Sequence, residues 1–294
     1  NNLREKLKNV IILIFADNEQ DKRFNSVNYL LKYLEIKNIT INIRNKFLFR
    51  LIYKLIQVRK KLYFHYSLII VGNLFSKINK ELIKISKETI ILDDGTNILD
   101  KSNLIERKRK NYNFFSIFKK KFFKENIYKQ NKLLFLKKIL STKIKKTKEV
   151  YLMGSPNVKL RFFNENFYLK LINKVFQDLK IKEIFYIPHP KKNTKFLKKI
   201  KNVKIINTNY PAEIYFIKKK ESPKMILSFS SSALITLRVI SKKFKLININ
   251  YKTKKNIFTN NYLDILGSIK DIERKKEINK YVKVLGIKCK NVKI

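Results

Sequence analysis

Ile184-Phe185-Tyr186-Ile187-Pro188-His189-Pro190 is a short apolar run that stops at a histidine held between two prolines. Such a run reads as a buried strand delivering His189 into the loop at its C-terminal end, where open α/β sheets bind ligands. Each proline fixes its own φ and pushes the preceding residue towards extended backbone, so Ile187 and His189 are both restricted and the imidazole is aimed in advance. The chain's other histidine is His65. A pre-aimed imidazole suits a fixed proton donor; the plainer alternative is a histidine that caps the strand or fills a turn.

Working outward, the residues on either side of this run repeat its pattern. Glu149-Val150-Tyr151-Leu152-Met153-Gly154 reads as a strand with Ser155-Pro156 as its turn, and Tyr168 to Leu179 as a helix. After His189 a helix is expected from Thr194 to Ile200, a strand over Val203–Ile206, and a short helix opened by Pro211. Lys224 to Phe229 is a strand feeding Ser230-Ser231-Ser232, followed by a helix to about Ser241 and a strand from Phe244 to Ile249. The last 35 residues read as helical.

Towards the N-terminus, Val10–Phe15, Ile39–Ile43, Leu68–Gly72 and Thr89–Leu92 read as strands. They alternate with helices over residues 24 to 36, Phe47 to Tyr63, and through Ile78, Leu82 and Ile85. Strands alternating with helices predict parallel sheets covered on both faces. The α/β alternation is broken between residues 101 and 148, where 17 Lys and Arg against two acids (17 − 2 = +15) interleave with Phe114, Phe115, Phe118, Phe122, Phe123 and Phe135. The expected organisation is therefore an N-terminal domain over residues 1–148, carrying this basic, Phe-rich helical segment, and a C-terminal domain over residues 149–294.

The chain's 294 residues are enough for two such domains, and its formal charge of +46 comes from 68 Lys and Arg against 22 Asp and Glu. A charge of this size suits a polyanionic partner, either nucleic acid or an anionic membrane. Three alanines and five glycines beside abundant Lys, Asn, Ile and Phe also match what AT-rich coding produces whatever the function. With a single cysteine, Cys289, there is no internal disulfide framework and no cysteine metal cluster. The longest uncharged stretches, Phe64–Ser76 and Met225–Leu237, have 13 residues each, short of the ~20 that a spanning helix needs. The apolar run Val10–Phe15 is short for a signal-peptide core. The expected location is the cytoplasm, peripheral on the inner face of the membrane, with aromatic residues and lysines of 101–148 as the attachment; the equal alternative for that stretch is a helical connection whose phenylalanines face the core and whose lysines face water.

Three groups could carry chemistry. Asp93-Asp94-Gly95 follows a strand, where paired carboxylates raise each other's pKa and suit a general base; a turn or helix cap is the alternative. Ser230-Ser231-Ser232 stands between a strand and a helix, so hydroxyls and helix N–H groups face a point that fits a phosphate, although capping alone needs one serine. His189 is the third. Neither a Gly-X-Gly-X-X-Gly nor a Gly-Lys-Ser/Thr motif is present, which argues against dinucleotide and P-loop binding, and no metal ligand set is apparent.

Taken together, Leu92-Asp93-Asp94-Gly95-Thr96, Tyr186-Ile187-Pro188-His189-Pro190 and Phe229-Ser230-Ser231-Ser232-Ala233 resemble the bacterial sialyltransferases. The similarity is to glycosyltransferase family 52, which includes lipooligosaccharide sialyltransferases, and to the bacterial polysialyltransferases. The resemblance extends over roughly residues 8 to 250. It implies a GT-B fold, two Rossmann-like domains facing each other across a cleft, and inverting, metal-independent transfer from CMP-sialic acid without a further cofactor. It implies that His189 assists departure of CMP, that Asp93 or Asp94 deprotonates the acceptor, and that Pro190 and Ser230 to Ser232 lie at the donor phosphate. It also implies a nucleoside contact at Glu213, and Glu165 stands near where the family has a carboxylate base. The acceptor expected is a glycolipid or oligosaccharide of the bacterial surface, such as lipooligosaccharide, with a homodimer left open. The rivals are a same-fold transferase using a nucleotide-hexose and, less favoured, a basic nucleic-acid-binding protein.

Overall fold

The computed structural model describes residues 12–16, 38–42, 46–61, 66–72, 77–92, 113–118, 127–140, 144–154, 165–189, 194–208, 210–229, 231–251 and 279–292. The architecture is α/β with predominantly parallel strand pairing, parallel throughout the six-stranded sheet. The chain divides into two compact units, Asn1–Leu92 with Asn209–Ile214, and Asp93–Thr208 with Tyr215–Ile294. The first unit's main run ends at Leu92.

In the first unit, β1 (Ile12–Ala16) pairs with β2 (Asn38–Asn42), and β3 (Tyr66–Val71) pairs with β4 (Ser86–Leu92). Helix α1 (Lys46–Lys61) packs on α2 (Lys77–Lys84) through buried Ile56, Ile78 and Ile85, with Tyr53 and Leu82 against them. These elements follow the apolar periodicity of the sequence within one or two residues at most ends. The helix expected over residues 24–36 lies outside the described residues.

In the second unit six strands form one sheet: β8 (Val150–Met153), β9 (Ile184–Ile187), β10 (Val203–Ile205), β12 (Met225–Ser228), β13 (Leu246–Tyr251) and β14 (Lys288–Val292). Their spatial order is β10-β9-β8-β12-β13-β14. Numbered by their order along the chain this is 3-2-1-4-5-6, the Rossmann arrangement, in which the order reverses between the first and fourth strands. Central strands β8 and β12 are buried at every residue, as a parallel sheet covered on both faces requires. A two-residue parallel pairing of β7 (Lys145–Lys146) with β11 (Glu221–Ser222) stands apart from this sheet.

Helix α4 (Glu165–Asp178) buries Phe167, Tyr168, Leu171, Ile172 and Val175, one stripe at the helical period. Each of the fully buried aliphatic residues contributes roughly 1.5–3 kcal/mol. The segment expected as a helix from Thr194 to Ile200 is a 3₁₀ turn, Lys195–Lys199, burying Phe196 and Leu197. Helix α5 (Ala212–Lys219) begins after Pro211, and α6 (Ser232–Ile240) follows β12.

Two expectations are corrected. The 101–148 stretch is not a continuous helix: it contains β5 (Asn113–Ser116), β6 (Ile127–Gln130) and the short helix α3 (Leu134–Leu140). Phe114 and Phe118 are core residues, 1% and 0% exposed, and so are closed to a membrane. In β5 the side chains alternate, so Phe114 and Ser116 are both buried while Phe115 is half-buried. Phe118 meets Tyr281 at a tilt with ring centroids 4.9 Å apart, and the Tyr281 hydroxyl donates to the Ile117 carbonyl at 3.1 Å. Phe122 and Phe123 lie outside the described residues. The second correction concerns the C-terminus, where helical residues 279–284 lead into β14 instead of continuing as a helix. β14 reads poorly as a strand because it is the sheet's edge and carries exposed Lys288 and Lys290, residues that discourage edge-to-edge pairing.

Candidate active site

The reversal of strand order opens a crevice beyond the C-terminal ends of β8 and β12, and the residues that matter here end or begin the elements around it. β8 is followed directly by Gly154, whose N–H donates to the Ile187 carbonyl at 2.8 Å and so ties the end of β8 to the end of β9. Buried Ser228, the last residue of β12, donates from its hydroxyl to the Met153 carbonyl at 3.3 Å. Three adjacent strand ends are thus pinned together. His189, half-buried, lies two residues beyond β9 and directly over Gly154: a Cβ placed on Gly154 would stand 2.8 Å from the His189 backbone nitrogen.

The floor of this edge is aromatic. Tyr168, in the first turn of α4, and Tyr186, near the end of β9, are both fully buried and share a hydrogen bond between their hydroxyls at 3.2 Å. Burial, reinforced by the neighbouring Tyr168 hydroxyl, holds the Tyr186 phenol well above its ordinary pKa, so it stays protonated. Tyr168 also meets Phe229, the residue after β12, edge-on with centroids 5.6 Å apart. Tyr168 therefore places the start of α4 at the same sheet edge as His189. Glu165, exposed on that first turn, comes with it.

The start of α6 completes the edge. Ser231 is the N-cap: its backbone is extended, φ −90° and ψ 138°, and its hydroxyl accepts from the Ala233 N–H at 3.2 Å. The capping role anticipated for one serine is therefore real, and it falls on Ser231. A capping oxygen keeps its own O–H to donate, and Ser232 at the first helical position brings a second hydroxyl to an end where the helix dipole favours an anion. Ser231→Ala is expected to cost about 1 kcal/mol and Ser231→Gly only a few tenths. Thermal unfolding of the two variants against wild type checks this, and equal melting temperatures for all three would remove the cap.

Among the residues singled out from the sequence, the structure gathers His189, Glu165, Ser231 and Ser232 at one edge of one sheet. Glu213 is in the first turn of α5, in the segment that groups with the first unit; burial pushes its carboxyl above the ordinary range, partly offset by its own backbone N–H. Asp93, Asp94, Pro190 and Ser230 lie outside the described residues. Sequence reasoning missed Gly154, Tyr168 and Tyr186. Gly154 carried a signal, since a glycine straight after an apolar run marks a close backbone approach, whereas nothing local distinguished the two tyrosines from core filling.

A polar network at the opposite edge serves the frame instead. The Lys219 ammonium pairs with Glu221 at 2.8 Å and Glu149 at 3.3 Å and donates to the Tyr151 hydroxyl at 2.9 Å, joining α5 to the start of β8. Among the described residues no group of three or more His, Cys, Asp or Glu could hold a metal ion. None of the described helices is long and apolar enough to cross a membrane.

Among solved structures the chain is similar to a crystal structure of Acinetobacter baumannii MurG, at 10% identity and a TM-score of 0.42, the match covering 96% of this chain and 85% of that one. No curated protein matches the sequence. The model of the alpha-2,8-polysialyltransferase (POLYST) family matches residues 23–247, which include the His-Pro strand, Glu165 and the serine-capped helix, and by that match the chain belongs to this family and with it to the glycosyltransferases.

Proposed function

We propose that the protein is an inverting sialyltransferase that takes sialic acid from CMP-sialic acid, working as a GT-B enzyme. The observation that carries this reading is the gathering of His189, Glu165 and the capped start of α6 at the switch point of a Rossmann sheet. In the reaction an acceptor hydroxyl oxygen forms a bond to the anomeric carbon of sialic acid while the bond from that carbon to the phosphate oxygen of CMP breaks. Negative charge then builds on the departing phosphate. His189 answers it from two residues beyond β9, and the Ser231 and Ser232 hydroxyls answer it from the N-terminal end of α6; Pro190 and Ser230, their neighbours in sequence, are the further candidate phosphate contacts. The acceptor proton goes to a carboxylate, Asp93, Asp94 or Glu165. Glu213 is the candidate nucleoside contact. Charge neutralised by a helix end and an imidazole needs no divalent cation, so rates should be unchanged by EDTA.

The family name points to an acceptor that itself ends in sialic acid, and the basic chain suits such an anionic substrate. Lipooligosaccharide ending in a neutral sugar is the other surface glycan to assay. Calorimetric titration with CMP, CDP and UDP tests the donor: CMP is expected to bind roughly tenfold or more tightly than UDP, about 1.4 kcal/mol or more. Preference for UDP would replace sialic acid by a hexose donor. Among Asp93→Asn, Asp94→Asn and Glu165→Gln, the variant that abolishes transfer yet still binds CMP identifies the base. Survival of activity in all three would remove the carboxylate mechanism.

A further inference from the structure

Helix α1 has two apolar faces, of which the packing of the first unit uses one. Ile56 is buried against Ile78 of α2 and Ile85 just after it, with Tyr53 beside it. Leu51, Leu55 and Val58 are 43%, 60% and 51% exposed. Their spacing of four and then three residues sets them in one stripe along the helix, and Ile56 is turned roughly 140° from Leu51. Arg50 and Lys54 are exposed beside the stripe. The sixteen residues of α1 hold six Lys or Arg and no acid.

We infer that α1 docks the protein on an anionic lipid bilayer, lying in the plane of the interface with Leu51, Leu55 and Val58 inserted among the acyl chains. Charge complementarity selects this occupant. A narrow apolar stripe flanked by cations, on a helix without acids, matches a surface of apolar chains beneath anionic headgroups. At about 24 Å the helix is too short to span and long enough to lie flat. The attachment proposed is α1; of the aromatic residues in the 101–148 stretch, Phe114 and Phe118 are in the core and closed to a bilayer. The inference is independent of the donor sugar and goes beyond the transferase reading.

The experiment is sedimentation of the full chain with phosphatidylcholine vesicles, with and without phosphatidylglycerol. Wild type pellets with the anionic vesicles at low salt, less at high salt, and hardly with the neutral ones. The combined variant Leu51→Ser, Leu55→Ser, Val58→Ser is expected to lose binding by roughly tenfold while keeping its melting temperature and CMP affinity. Arg50→Gln with Lys54→Gln weakens binding at low salt and flattens its salt dependence. A variant with Lys119, Lys120, Lys121 and Lys124 changed to Gln keeps the α1-dependent binding. Wild type that ignores anionic vesicles, a serine variant that pellets like wild type, or a wild-type dimer that the serine substitutions convert to monomer would each overturn the proposal, the last in favour of a second copy of the chain on this face.

Discussion

His189→Ala is expected to lower kcat by roughly 10²–10⁴-fold while CMP affinity falls only a few-fold. A group that answers charge on a leaving phosphate acts mainly in the transition state, so its loss appears in kcat far more than in ground-state binding. The structure fixes the backbone that carries this imidazole. β9 runs through buried Tyr186 and Ile187, the Ile187 carbonyl is bonded to Gly154, and Pro188 then restricts the backbone leading to His189. Steady-state kinetics on a soluble acceptor, with calorimetry of CMP binding, reads both quantities. Activity within about threefold of wild type, well under the usual range for acid–base help, would take His189 out of the mechanism.

The second large effect is expected at Gly154, a residue with no side chain to contribute. A Cβ there would stand 2.5 Å from the Tyr186 hydroxyl oxygen, 2.8 Å from the His189 nitrogen and 3.0 Å from the Tyr186 ring. None of these neighbours yields easily: Tyr186 is fully buried and bonded to Tyr168, and the His189 nitrogen is backbone following a proline. Gly154→Ala should therefore cost about 1–3 kcal/mol in stability as overpacking and displace the histidine loop. A misplacement near 1 Å is enough for roughly 100-fold in rate. Adding Tyr186→Phe separates the two causes. It removes the hydroxyl contact but not the contact with the His189 backbone, so stability should partly return while activity stays low. If Gly154→Ala alone melts and turns over like wild type, the loop has room to move and the close approach does not matter.

These two residues also show how sequence and structure divide the information. The His189 loop was legible because two prolines act within the residues next to them. Ser231 was legible as one of three candidate caps, since an N-cap bonds a backbone two residues away. Gly154 was visible as a strand end, but its partner lies 35 residues on, so the reason it must be glycine was not.

What the sequence by itself determined about this protein is the set of its parts. Apolar runs of four to six residues became β8, β9, β12 and β13, and a helical stripe became α4, because strand and helix periods are set by neighbours in the chain. Only the tertiary structure decided their order, with β8 and β12 side by side at the centre, and hence that the strand carrying His189 and the helix capped by Ser231 open at one crevice. The tertiary structure alone also decided that Phe114 and Phe118 turn inward, that Tyr168 meets Tyr186, and that lysine-bearing β14 completes the edge of the sheet. Each of these rests on contacts between residues far apart in the chain, whose formation depends on which surfaces pack together and not on any local pattern.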